Sequence, residues 1–507
     1  MRALVLPSLL LVVLAGAVRP GEGDGAPPPG TPPGQVWASE VGTLGPFDLA
    51  FGDGGGQLLV VGTGGKAWIY SSFDHDPPTA FSALDLDFYG GLGAAAGDTD
   101  VHLTVTYDVL DIFTSQGHLR CYGSASSLPL WDFVFAPQLF SSPGIDVSRD
   151  GQTIVSYFVL EQPPTNEFRV HDPGTGAVTR FLHYPIQEYT GRFDLSPDGS
   201  VLAHSSNDGT GNTFVIDVAS GDLLFTTPGT IPGEQALSRR GGVLVVRQRE
   251  VGVAWHVRAF VRGPAGYVQV LDVPTPDSEW PGDMAVSDDG RVVAAAWYDG
   301  ALSPWLATAR AYDVPSGALL LERELAANPL SPLQNAVGDL ELSAGGERLA
   351  LGVWGGGTIL PSGTVSELTV WDPQADALVA SFPASGTVFE VELSADGSRL
   401  AAHRLPGHAN SGYTTTWVRL YDVGGADLAL HGVPSVGGSL TAEVFGPAGA
   451  TAALLAAAAL APQPLVVGGA GTLFLDPATL AVAGVAPVGA AGSAPIGLAV
   501  PAAPALV

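Results

Sequence analysis

"FDLSPDGSVLAHSSNDGTGNTFVIDVASGDLLF", residues 193–225, holds four apolar bursts separated by turn-forming residues. Apolar residues alternate with polar or small ones in each burst, which is the period of a β-strand. Ser196-Pro197-Asp198-Gly199 supplies a tight turn, with glycine free to take the left-handed backbone that such a turn needs. Asp217, after "TFVI", can hydrogen-bond the backbone of the turn that follows it. The segment therefore reads as a four-stranded antiparallel meander. Whether it stands alone or repeats decides the fold.

It repeats. "IDVSRDGQTIVSYF" (145–158), "QALSRRGGVLVVRQ" (235–248), "MAVSDDGRVVAAAW" (284–297), "LELSAGGERLALGV" (340–353) and "VELSADGSRLAAHR" (391–404) share its pattern. The aligned serines, Ser148, Ser196, Ser238, Ser287, Ser343 and Ser394, are separated by steps of 48, 42, 49, 56 and 51 residues. Weaker copies occupy 47–62 and 84–107. Several strands per unit at this period predict an all-β propeller of about eight blades, with seven as the alternative count. The six serines are expected at equivalent ends of the first strand of each blade. Residues 35–45 are expected to supply a strand that closes the ring. Asp172, Asp217, Asp313, Asp372 and Asp422 recur at the end of the third strand and read as turn formers.

"FDLSPDG…TFVIDVASG" and "LTVWDP" resemble the WD-repeat and related S-P-D-G repeats of exported bacterial propellers. The resemblance spans roughly residues 43–431 and implies the fold, while propellers as a class host many functions. The stretch 432–507 is Ala-rich and almost uncharged. Its "G-x-P-S-x-G-G", "G-P-A-G-A" and "L-F-L-D-P" features resemble a small β-sandwich-like module at the C-termini of planctomycete-type exported proteins. That resemblance implies a role in surface attachment or export, and a chain that ordinarily runs on past the final "VPAAPALV".

The N-terminus begins with Arg2, an apolar run, and the small residues Ala15-Gly16-Ala17. This order is expected of a leader over residues 1–17, removed on export. A Pro/Gly-rich linker over 18–34 follows, then the propeller over 35–431 and the C-terminal module over 432–507. A bacterial location outside the cytoplasm, secreted or at the cell surface, is the expectation. The run "TAALLAAAALA" (451–461) is too short to cross a membrane as a helix. The net charge of −29, with Lys66 as the only lysine, argues against a nucleic-acid partner. Cys121 stands alone and reads as a small buried strand residue.

Catalytic signatures are scarce. The sequence contains no H-E-x-x-H, G-x-S-x-G or Walker motif. His403 and His408 lack a third ligand at metal spacing, and the acidic stretches at 73–76 and 97–100 lack the alternating oxygens of a calcium loop. The ten tryptophans do not recur at one blade position, which tells against a quinone-dependent dehydrogenase. No cofactor and no metal are expected.

Repeated minimal turns occupy one face of the predicted ring, and dissimilar longer loops the other, at 159–167, 207–212, 298–308, 354–366 and 404–416. Divergent loops on a rigid scaffold are where binding concentrates. The candidate ligand contacts are Tyr157, Glu161, Asn207, Asp208, Arg247 and Trp297, with Tyr298, Asp299, Trp354, His403, Arg404 and His408. Aromatics beside carboxylates, Arg and His would suit a carbohydrate or polar peptide. The expected function is a non-enzymatic binding or display propeller. A hydrolase or lyase acting on a polysaccharide or lactone is the second reading, and a structural surface protein without a ligand the third.

Overall fold

The computed structural model describes residues 9–14 and most of 35–499, with side chains described between residues 48 and 423. Connecting segments such as 185–192, 206–211, 300–305, 327–335, 355–367 and 406–415 lie outside the described residues. The chain divides into two compact units, Pro29–Val423 and a second formed by Met1–Pro28 with Gly424–Val507.

The larger unit is an eight-bladed β-propeller. Among the described residues, seven of its sheets have four strands and one has five, all antiparallel meanders ordered from an inner to an outer strand. The inner strands begin the blades at Pro46–Gly52, Leu92–Ala95, Gly144–Val147, Phe193–Leu195, Ile231–Leu237, Pro281–Val286, Val337–Leu342 and Thr387–Leu393. Blade eight takes its first three strands from the end of the unit and its fourth, Gln35–Gly42, from the start. That strand pairs antiparallel with Thr416–Asp422, Gln35 lying opposite Tyr421 and Gly42 opposite Thr416. The ring is therefore closed by backbone hydrogen bonds between distant parts of the chain, and the expected closing strand is in place.

The recurrent serines lock the first turn of their blades. The backbone N–H five residues on donates to each serine oxygen at 2.7–3.1 Å, from Thr153 to Ser148 through Arg399 to Ser394. Where the repeat keeps its aspartate, the serine hydroxyl donates to it, as Ser196 does to Asp198 at 2.9 Å and Ser287 to Asp289 at 2.7 Å. All six serines are buried. Gly199 in this turn has φ of +71°, and a Cβ there would lie 2.4 Å from Thr153 Oγ1 of the preceding blade. Glycine thus serves both the turn and the packing of one blade on the next. Asp172, Asp217, Asp313 and Asp372 accept backbone N–H groups of their turns at 2.7–3.1 Å, while Asp422 pairs with Arg399.

The core lies between blades. Leu202, Leu195 and Ile216 of blade four pack with Val155, Tyr157, Phe168 and Leu182 of blade three. Blade six presents Ala294, Ala296, Ala307, Ala309 and Ala311 to Leu340, Leu349 and Leu351 of blade seven, small residues meeting large ones. Cys121 is fully buried, and burial pushes its thiol up to about 12, so it stays protonated and inert.

In the second unit, Leu9–Leu14 lies parallel to Thr451–Ala456, which pairs with Ala481–Pro487. Leu428–His431, placed at the end of the propeller by the sequence, pairs instead with Ser439–Phe445 of this unit. No helix among the described residues is long and apolar enough to cross a membrane.

Candidate functional site

The inner strands enclose a cavity of about 530 Å³ on the propeller axis, at the end where the serine turns lie. Strand alternation puts residues two and four places before each serine on the same side of the strand. Asp146, Asp194, Glu341 and Glu392 hold the nearer position, and Glu234, Asp283, Asp339 and Glu390 the farther one. Asp48 holds the farther position in blade one, where Gly52 replaces the serine. All nine are half-buried.

These carboxylates tie neighbouring blades together. Asp48 accepts the N–H of Gly93 at 2.9 Å, Asp146 that of Leu195 at 2.9 Å, and Asp194 that of Leu237. Asp283 reaches Leu340 at 3.4 Å, Asp339 reaches Val391 at 2.7 Å, and Glu390 closes the circle on Leu49 at 2.8 Å. Each bond runs from one blade to the next. In blade two the two positions are taken by Leu92 and Ala94, and in blade five Ala236 takes the nearer one.

A second set of bonds lies at the mouth. Residues that follow the serines donate their N–H to their counterparts in the next blade, from Arg149 to Pro197 at 2.7 Å and from Arg239 to Asp288, Asp288 to Ala344 and Ala344 to Ala395 at 2.8–3.0 Å. Proline has no N–H, so Pro197 cannot pass the chain to blade five. Arg149 of blade three spans this gap with an ion pair to Asp288 of blade six. Among the described residues, Arg149 is the only cation lining the cavity.

Crowding among these acids alters their chemistry. Burial, reinforced by Asp48, pushes the Asp146 carboxyl up to about 7. Burial, reinforced by Asp48 and Asp146, pushes that of Glu392 up to about 8. Asp194, Asp339, Glu341 and Glu390 are held well above the usual carboxylate range by burial and by neighbouring carboxylates. Among the described residues, no three His, Cys, Asp or Glu side chains are arranged to hold a metal ion.

The side chains singled out on the opposite face are placed differently. Tyr157, Arg247, Trp297, Tyr298, His403 and Arg404 are buried, and Trp354 is half-buried. Tyr157 packs against Phe168, Phe193 and His204. Arg247 lies over Trp255 with 4.8 Å to the ring centre, and Arg310 lies over Trp297 at 5.2 Å. His403 stacks on Phe389, and burial pushes its imidazole down to about 3, leaving it neutral. These side chains pack the blades beneath the loops. Glu161 and Asp299 end the strands Ile154–Glu161 and Val292–Asp299. Asn207, Asp208 and His408 lie outside the described residues, as do the acidic residues at 73–76 and 97–98. The segment 159–167 is largely a hairpin, since Glu161 still pairs with Pro164.

No protein-family model matches the chain, and no curated protein does. Among solved structures it is similar to the Dos1 propeller, with a TM-score of 0.55 and 12% identity over 77% of this chain and 95% of that one. At that identity the likeness bears on the fold alone.

Proposed function

We propose that the protein is an exported, non-enzymatic binding propeller that holds a carbohydrate or polar peptide on its loop face. The observation that carries this reading is the placing of Gln35 opposite Tyr421 in blade eight. The chain thereby enters and leaves the propeller side by side, at the short-turn end of that blade. A tether through either flank would hold the ring by that face and leave the loop face presented. The buried aromatic and cationic side chains support the reading by fixing the strand ends from which the loops spring. Export rests on the leader-like N-terminus, and attachment on the C-terminal stretch.

A glycan and polar-peptide array probed with the protein from residue 18 onward tests the proposal. Saturable binding that leaves the ligand intact is the expected result. Cleavage of a bound polysaccharide or lactone would replace it with the hydrolase or lyase reading. A protein that binds nothing on the array would leave the structural surface role.

A further inference from the structure

We propose that the inner ring of the propeller is a proton-operated clasp, in which Asp339 keeps its proton beside Asp283 across the joint between blades six and seven, and Glu390 keeps its own beside Asp48 across the joint that closes the ring. Asp283 and Asp339 both accept the N–H of Leu340, at 3.4 and 3.0 Å, and Asp48 directly precedes Leu49, whose N–H Glu390 accepts at 2.8 Å, so two carboxyl groups lie together at each joint. Two ionised carboxylates offer each other only acceptors and repel, so such a pair holds together while one partner keeps its proton. The same four side chains accept the backbone N–H groups of Leu340, Val391, Leu49 and Gly93.

The surroundings hold these protons in place. Glu390 faces the Asp283–Asp339 pair, and Glu392 faces the Glu390–Asp48 pair. Glu341 faces Asp283, Glu392 and Asp194, and Asp194 in turn faces Asp146. Blade five adds Glu234 on its inner strand. Arg149, the one cation on the cavity wall among the described residues, is engaged with Asp288 at the mouth. Ionising a pair therefore sets two like charges against each other in a ring that is already anionic.

The sign of the effect follows from linkage. A group whose pKa is raised on folding binds its proton more tightly in the native ring than in the unfolded chain, so stability falls as pH rises. The contribution is complete below the ordinary carboxylate range and is lost as pH rises through the raised range of the ring, which lies at about 7 for Asp146 and about 8 for Glu392. Lost protons would leave the inner joints loosened while the outer strands remain paired.

Thermal unfolding of the full propeller between about pH 5.5 and 8.5 tests this, in the wild type and in Asp339→Asn and Glu390→Gln. The wild-type midpoint should fall by about 3 °C or more across the range, and each variant should remove a clear part of that slope. Variants that keep the whole slope would overturn the clasp. Infrared spectroscopy of the wild type needs no variant to fold. A protonated-carboxyl C=O band should persist at about pH 7 and vanish in alkaline solution. A spectrum with only carboxylate bands at about pH 7 would equally overturn it.

Discussion

Internal deletion of residues 35–42 is expected to open the ring and remove most of the propeller's stability. The strand Gln35–Gly42 forms the outer ladder of blade eight, with paired positions from Gln35–Tyr421 to Gly42–Thr416. Each backbone hydrogen bond contributes about 1 kcal/mol net, and the ladder holds several, so the direct loss is about 3–6 kcal/mol. That is a large share of the 5–15 kcal/mol that separates folded domains from unfolded ones. Val418 and Leu420, fully buried beside this ladder, would also lose cover. Urea unfolding should show a much lower midpoint, and a synthetic peptide "QVWASEVG" should restore part of it. A truncated protein that unfolds at the wild-type midpoint would show that closure contributes little.

Leu202→Ala is expected to cost about 2–5 kcal/mol, the range for emptying a packed core site. Leu202 is fully buried and joins blade four to the aromatic cluster of blade three. Leu223, on the outer strand of the same blade, is 49% exposed. Leu223→Ala should therefore stay within about 0.5 kcal/mol. The pair of variants separates burial at a blade interface from mere apolar character, with chemical denaturation as the readout. Equal costs would mean that the blades are not packed as described.

The repeat was legible because its turn chemistry is local. Ser196, Asp198 and Gly199 carry the serine lock within a few residues, and Asp217 closes the next turn by itself. The closing strand was legible from its pattern, since an alternating stretch at 35–42 precedes the first repeat and supplies one strand more. The acidic channel was written in the same segments, as "IDVS", "FDLS", "LELS" and "VELS". Alternation gives a strand two faces without saying which one a neighbouring blade or an open cavity will meet, so these acids passed as ordinary polar positions. Trp297 and His403 illustrate the converse. They stand near strand ends that lead into long loops, and the packing of blades, a contact between distant segments, buries them.

The most direct test of the proposed function is amide hydrogen exchange of the protein with and without a ligand found on the array. Binding on the loop face predicts slowed exchange in 206–212, 299–306, 354–367 and 405–416. The serine turns at 148–153, 196–201, 287–292 and 394–399, on the opposite face, should exchange as before. Protection confined to those turns and to the inner strands around Asp146 and Glu392 would contradict the account and place the ligand in the acidic channel.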